Sequence, residues 1–178
     1  MNVLIVDYFG TIADPKLVDV LLKAHATDES FDGIYVNGAQ RVLERIIQGD
    51  QTIAEQTRAT FYPDVRDLFE QAKKVGLATK VYSKGNGEFV LKGLELIGVE
   101  TGFIDPRDVG DKKAPESYQN IRKKYGYDSM IFVTDSTAEA RAASDANLEY
   151  VVLVNPEAID YTKAFEAIKE LQKWKLRT

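Results

Sequence analysis

The sequence predicts an α/β fold, in which a parallel β-sheet is flanked by helices. Short apolar runs rich in β-branched residues alternate with longer segments of helical periodicity, and this alternation is typical of βαβ units. The runs are continuous rather than interrupted by polar residues, which indicates strands buried on both faces. With 178 residues, 44% of them hydrophobic, the chain is long enough for one domain with a modest insertion.

Five apolar runs are predicted as strands. They are residues 3–6, 77–82, 102–104, 130–134 and 150–154. The first is the continuous run Val-Leu-Ile-Val, and the last stops at Asn155-Pro156. The run at 102–104 is the weakest candidate, and we expect it to be a short strand.

Helical patterns separate these strands. Residues 65–75 carry apolar side chains at the i, i+3, i+4, i+7 spacing, and the pattern closes at Gly76 after two lysines that suit a helix C-terminus. Further helices are predicted at 89–97, 115–125, 137–146 and 158–176, the last with Trp174 on its buried face. The expected architecture is therefore a Rossmann-like parallel sheet flanked by helices.

The segment after the first strand breaks the alternation. It holds no comparable strand run, only helical patterns at 17–26, 39–48 and 53–60 joined by a glycine- and aspartate-containing stretch at 28–38. Such a segment is too long for a simple connection between a strand and a helix. We therefore expect a core of residues 1–13 and 61–178, with a small α-helical cap of residues 14–60 inserted after the first strand.

Composition excludes several chemistries. Without cysteine there is no disulfide, thiol nucleophile or cysteine-ligated zinc, and a single histidine argues against Ser-His-Asp and multi-histidine metal sites. Carboxylates, hydroxyls and lysines must then do the work of any enzyme. The net charge of −5 argues against nucleic acid as a main partner.

The sequence also indicates where the protein works. No run approaches the roughly 20 apolar residues of a membrane-spanning helix, and the first apolar run lacks the features of a signal peptide. We therefore expect a cytoplasmic protein with no membrane partner. The sequence leaves a homo-oligomer open.

Polar side chains follow three of the predicted strands. Asp7 follows the first strand, Ser83 the second, and Asp135 the strand that ends at Thr134. Because ligands bind beyond the carboxyl ends of the strands in an open parallel sheet, we expect these groups to converge. Two carboxylates in one cleft favour a cation between them, and oxygen-only ligation suits Mg²⁺. A carboxylate can also act as a covalent nucleophile.

Four segments, in order, resemble the motifs of the haloacid dehalogenase superfamily. They are Asp7 to Ile12 (DYFGTI), Ser83 at a strand end, Lys112 to Tyr118 (KKAPESY) and Asp135 to Glu139 (DSTAE). Their order and spacing match the family across residues 3–155. The helical insertion sits where the family carries a C1 cap.

The resemblance implies a role for each matching residue. Asp7 would be the nucleophile that attacks phosphorus, and Lys112 would neutralise the charge that builds up there. The residues expected to bind the phosphoryl oxygens are Thr11, Ser83 and the amides around Lys84. Mg²⁺ would be held by the Asp7 carboxylate, the Phe9 backbone carbonyl and Asp135. The implied activity is a Mg²⁺-dependent phosphatase of a small phosphorylated metabolite, acting through an aspartyl-phosphate.

Phe9 departs from the family pattern. Phosphatases of the family usually place a second aspartate two residues after the nucleophile, where it protonates the leaving oxygen and then activates water. Phenylalanine transfers no proton, so hydrolysis of a poor alkoxide leaving group should slow by about 10²–10⁴-fold.

Two alternatives follow from Phe9. One is a metal-independent 2-haloacid dehalogenase, because such enzymes expel halide and tolerate an aromatic residue at this position. They usually lack the metal-binding aspartate that Asp135 matches. The other is a catalytically weak relative that binds a phosphorylated ligand through an intact anion site.

Overall fold

The computed structural model describes residues 1–175 of the chain, except for the side chains of residues 174 and 175. A parallel sheet lies at the centre of this part. Its strand order is β3-β2-β1-β4-β5. The strands are β1 (Asn2–Asp7), β2 (Ala78–Tyr82), β3 (Gly102–Ile104), β4 (Ser129–Thr134) and β5 (Tyr150–Leu153). The prediction of an α/β fold with a Rossmann-like parallel sheet is confirmed.

The central strand β1 brings the carboxyl ends of its neighbours into line. Its residues Val3 to Val6 are fully buried because helices cover both faces of the sheet. In the parallel register Asp7 lies beside Tyr82 of β2, and Val6 lies beside Val133 of β4. The residues that follow β1, β2 and β4 therefore leave the sheet at one edge.

Helices connect the strands. They are α1 (Pro15–Lys23), α2 (Ala39–Ile47), α3 (Gln51–Arg58), α4 (Val65–Lys74), α5 (Gly87–Leu96), α6 (Pro106–Val109), α7 (Pro115–Tyr125), α8 (Thr137–Asp145) and α9 (Thr162–Lys175). Each predicted helix is present, with ends that differ by a few residues, and the short α6 was not predicted. Helix α9 begins four residues later than predicted, where Asp160 accepts a hydrogen bond from the Thr162 amide at 2.8 Å. The predicted end at residue 176 and the burial of Trp174 lie outside the described residues.

The stretch between α1 and α2 is not a simple joining segment. Its second half, Asp32–Gly38, is a π-helix, which the sequence did not predict. The turn is started by side chains, since Asp28 accepts from the Ser30 amide at 2.8 Å and the Ser30 hydroxyl accepts from the Gly33 amide at 2.9 Å. Periodicity at 3.6 residues per turn does not reveal a π-helix.

One hydrophobic cluster joins the sheet to residues 14–60, which we call the helical segment. Val6 of the sheet belongs to the same cluster as Leu22, Val42 and Ile53 of the helical segment, and α2 and α3 both pack against α5. A second cluster, which includes Val3 and Ile5, fills the other face of the sheet. The division into a core and a cap stays a prediction. None of the helices in residues 1–175 is long and apolar enough to cross a bilayer.

Candidate active site

A buried lysine lies between two buried carboxylates at the carboxyl end of β1. Asp7 Oδ1 accepts hydrogen bonds from the Lys112 ammonium and, at 2.7 Å, from the Tyr8 amide. Lys112 Nζ also lies 3.1 Å from Glu139 Oε2. Asp7, Lys112 and Glu139 are 5%, 4% and 8% exposed, so little solvent screens these charges. The site therefore combines a shielded carboxylate with a fixed positive charge.

Burial dominates the electrostatics of the two aspartates. Desolvation raises the pKa of Asp7 to about 7, against the attraction of Lys112 and with a further rise from Glu139. Desolvation also raises the pKa of Asp135 above its usual range, and Glu139 adds to that rise. In both cases the pKa rises because burial away from water disfavours the charged carboxylate. A bound cation would favour that charged form.

Asp135 is fastened to the loop that follows β1. Its backbone amide donates to the Thr11 hydroxyl at 3.0 Å, and that hydroxyl lies 3.4 Å from Asp135 Oδ1. Gly10, with φ of +72°, passes so close that a β-carbon would collide with the Asp135 carboxylate. The loop and the strand end of β4 are thus held in contact.

The predicted metal ligands offer oxygens that suit Mg²⁺. Asp7 Oδ2, the Phe9 carbonyl oxygen and Asp135 Oδ2 accept no hydrogen bond from another residue of the described chain. Within residues 1–175 no group of three or more acidic, histidine or cysteine side chains is arranged as a metal site. Two carboxylates, one carbonyl and several waters form the kind of oxygen set that Mg²⁺ uses.

The loop after β2 holds residues that were predicted to bind an anion. Ser83 is buried, and its hydroxyl accepts from the Gly85 amide at 3.3 Å. Asn86 caps α5 by accepting from the Phe89 amide at 3.0 Å. The Lys84 side chain is half exposed and lies 3.5 Å from Asp111, so Lys84 faces outward and can serve the site through its amide. Of the predicted anion ligands, Thr11 and Ser83 are the buried ones.

Two tyrosines support the site from elsewhere in the sequence. The Tyr161 hydroxyl donates to the Thr11 carbonyl at 2.5 Å, and the Tyr118 hydroxyl donates to the Lys112 carbonyl at 2.8 Å. Sequence reasoning did not assign these roles, nor the ion pair of Glu139 with Lys112. The position of Tyr118 in the third motif was a sequence signal for its role. Tyr161 had no such signal, because it is far from Thr11 along the chain.

The Phe9 side chain bridges the helical segment and the loop after β2. Its ring packs edge-on to Tyr8 and to Tyr35 of the π-helix, with centroids 4.9 and 5.5 Å apart. A β-carbon on Gly85 would lie 3.7 Å from the ring. The position where a proton-transfer group was expected therefore holds an aromatic contact.

The fold and this site define a hydrolase with an aspartate at the carboxyl end of its central strand. A family model described as haloacid dehalogenase-like hydrolase matches residues 1–147. The chain belongs to this family, as the four motifs predicted. The match covers the sheet from β1 to β4 and every site residue that the sequence predicted.

Curated relatives in this family are phosphatases by name. The enolase-phosphatase E1 of Gluconacetobacter diazotrophicus is 36% identical over 108 residues, which are 56% of this chain and 46% of that protein. The enolase-phosphatase E1 of Drosophila melanogaster is 28% identical over 178 residues, which are 93% of this chain and 70% of that protein. The chain thus spans less than half the length of the first relative.

A solved structure shares the fold. A hydrolase from Streptococcus pneumoniae superposes with a TM-score of 0.55 over 86% of this chain and 92% of that one, at 21% identity. At this identity the likeness concerns the fold alone.

Proposed function

We propose that the chain is a Mg²⁺-dependent phosphatase that acts on a small phosphorylated metabolite through an aspartyl-phosphate on Asp7. The observation that carries the proposal is the buried Asp7–Lys112 pair at the edge where Thr11, Ser83 and Asp135 also lie. Phosphoryl transfer depends on positioning and on positive charge more than on other covalent machinery, and this edge supplies both.

The side chains have separate tasks in the proposed reaction. Lys112 holds the Asp7 carboxylate in place and neutralises charge as the nucleophile meets the phosphoryl group. Thr11 and Ser83 offer hydroxyl donors to the phosphoryl oxygens. Asp7, Asp135 and the Phe9 carbonyl would hold Mg²⁺, which supplies charge neutralisation at the phosphoryl oxygens when bound.

Two displacements complete the proposed cycle. A carboxylate oxygen of Asp7 forms a bond to phosphorus as the bond from phosphorus to the leaving oxygen breaks, and the leaving oxygen gains its proton from solvent. Water then attacks the same phosphorus, which frees Asp7 and releases inorganic phosphate. Because Phe9 accepts no proton from that water, we expect the second displacement to be slow.

We extend the proposal to the helical segment and the setting of the enzyme. Residues 14–60 would act as a cap over the leaving group, with residues 1–13 and 61–178 as the core. The contact of Tyr35 with Phe9 supports this arrangement because it joins the two parts at the site. We place the enzyme in the cytoplasm, where phosphorylated metabolites are found.

Phe9 favours a second candidate, a 2-haloacid dehalogenase that needs no metal. There Asp7 would attack carbon and expel halide, a leaving group that requires no acid. Asp135 argues against this candidate, because its unpartnered Oδ2 beside Gly10 has no part in a metal-free displacement.

Turnover of p-nitrophenyl phosphate tests the proposal, because its leaving group hardly needs an acid. We expect hydrolysis that requires Mg²⁺, is lost in Asp7→Asn and is weakened in Asp135→Asn. Halide release from 2-chloropropionate that EDTA leaves unchanged would favour the dehalogenase instead. If neither substrate is consumed, while Mg²⁺ with orthovanadate raises the melting temperature, the chain is a phospho-ligand-binding relative.

A further inference from the structure

A cavity of about 770 Å³ opens beside the loop that follows β2. Its lining includes residues 84–87 of that loop and three large apolar side chains, Phe31 and Val36 from the helical segment and Phe103 from β3. Phe31 is 54% exposed and Val36 40%, although large apolar side chains are normally buried. Because the lining begins at Lys84, the residue after Ser83, the leaving group of a phosphate held by Ser83 would extend toward this cavity.

No proton donor is aimed at the leaving oxygen from the Phe9 side of the site. Two tyrosines pack on the Phe9 ring. Tyr35 donates its hydroxyl to Asp19 at 2.8 Å instead, and Tyr8 is fully buried, with a hydroxyl closed off from solvent and no place in the cavity lining. A leaving oxygen here must depart without an acid from these two residues.

The charges around the cavity disfavour a second anionic group. Its acidic lining residues outnumber the basic ones; they are Asp32, Glu88, Asp105 and Asp111, against Lys84 and Arg107. Lys84 is paired with Asp111, and Arg107 with Asp105 at 2.5 Å. Asp32 and Glu88 have no ion-pair partner within residues 1–175, so the cavity keeps an excess of negative charge.

We infer that the substrate is an aryl phosphate, a phosphate monoester whose leaving oxygen departs as a resonance-stabilised anion. The group that carries this oxygen is flat and apolar and bears no second negative charge. The inference rests on the proposed phosphatase activity. A weakly basic phenolate leaves without protonation, which suits the absence of an acid at Phe9. A flat ring can pack against the half-buried Phe103 and cover the exposed part of Phe31.

Phenyl and benzyl phosphate test the leaving-group requirement, because they are alike in size and apolarity and differ in the basicity of the leaving oxygen. The measured quantity is kcat/KM, which is independent of the slow hydrolysis of the aspartyl-phosphate. We expect phenyl phosphate to be favoured by about 10²-fold or more. In Phe9→Asp the difference in kcat/KM between the two esters should become smaller, because benzyl phosphate is used faster. Phe9→Leu also lacks an acid and should keep the wild-type difference.

Phe31→Ala tests the apolar contact. Phe31 is about half exposed and its ring centroid lies 5.0 Å from that of Tyr35, so its truncation should lower the melting temperature only slightly. We expect KM to rise several-fold for phenyl phosphate and to stay unchanged for acetyl phosphate, whose leaving group has no ring. If KM rises equally for both substrates, or for neither, Phe31 does not bind the ring of the substrate.

A paired comparison tests the charge. The ratio of kcat/KM for 4-carboxyphenyl phosphate to that for phenyl phosphate should rise at least about twofold when Asp32→Asn and Glu88→Gln are combined. Comparing the ratio between the two proteins cancels the intrinsic reactivities of the esters. An unchanged ratio would show that these acids do not select the leaving group.

The outcomes separate this inference from the proposed function. If p-nitrophenyl and acetyl phosphate are both untouched in Mg²⁺, the proposed function fails and the inference fails with it. If both are hydrolysed while the wild-type protein uses benzyl phosphate as efficiently as phenyl phosphate, the inference alone is overturned.

Discussion

Gly10 is under two constraints at the residue scale. Its φ of +72° suits glycine, and a β-carbon would collide with the Asp135 carboxylate. Gly126 has nearly the same φ, +67°, but a β-carbon there would meet nothing within 4 Å. A substitution at Gly126 therefore introduces backbone strain alone, whereas one at Gly10 adds a contact with the candidate site.

We predict that Gly10→Ala introduces backbone strain and also disrupts the metal site, whereas Gly126→Ala introduces backbone strain alone. Both should lower the unfolding free energy by about 1–2 kcal/mol, with an added loss for Gly10→Ala from the collision. Activation by Mg²⁺ should be lost only in Gly10→Ala. Denaturant melts and Mg²⁺ titrations of activity measure the two effects, and retained activation in Gly10→Ala would remove Asp135 from the metal site.

Much of the candidate site could be predicted at the residue scale because parallel strands end at one edge. Asp7, Ser83 and Asp135 each follow a strand, so their sequence positions place them together without knowledge of side-chain contacts. The outward direction of Lys84 and the hydroxyl of Tyr161 at Thr11 depend on packing between distant segments. Such contacts leave no local pattern in the sequence.

At the scale of elements, the N-terminus of α5 joins the anion site to the helical segment. Asn86 accepts from the Phe89 amide at 3.0 Å and donates to Gln40 of α2 at 3.3 Å. We predict that Asn86→Ala lowers the unfolding free energy by about 1 kcal/mol through loss of the helix cap. Asn86→Ser retains a capping oxygen and should recover most of that stability. A serine variant as unstable as the alanine variant would show that the contact with Gln40, and not the cap, is what matters.

His25, which follows α1, reports on the position of this end of α1 relative to Arg45 of α2. Burial lowers the pKa of its imidazole below 6.5, and Arg45 lowers it further. Because it is the single histidine of the chain, an NMR titration reads its pKa without assignment. We predict a value below 6.5 that rises in Arg45→Gln. A value at or above 6.5 in the wild-type protein would mean that His25 is not held partly buried beside Arg45.

The same shift has a defined effect on stability. The unfolded chain has the higher pKa for His25, so it binds the proton more readily, and protonation favours unfolding. The contribution of His25 is therefore fully present above pH 6.5 and is lost as the pH falls through the lower folded value. His25→Gln should flatten the pH dependence of unfolding in that window.

Helices with a regular apolar stripe could be predicted, whereas irregular elements could not. Helix α4 was recognised from its spacing and its final lysines, and its observed bounds are Val65–Lys74. The π-helix Asp32–Gly38 and the four-residue α6 have no such periodicity. They form where side chains such as Ser30 and Asp105 capture backbone amides.

For the whole molecule, alternation of strands and helices was enough to predict the sheet. The strand order was not predicted. In the structure β1 lies between β2 and β4, and this order gathers the residues of the candidate site. The extent of the cap could not be predicted with the same force, because the helical segment shares its hydrophobic cluster with the sheet. A boundary in sequence is not a boundary in packing here.

The central claim is that Asp7 carries the phosphoryl group. Rapid mixing of the protein with Mg²⁺ and a ³²P-labelled aryl phosphate, followed by acid quench and peptide mapping, tests it directly. We predict a base-labile label on the peptide that contains Asp7, absent in Asp7→Asn and long-lived because Phe9 supplies no base for its hydrolysis. Steady hydrolysis of the ester with no label on that peptide, or with the label on another residue, would contradict the account.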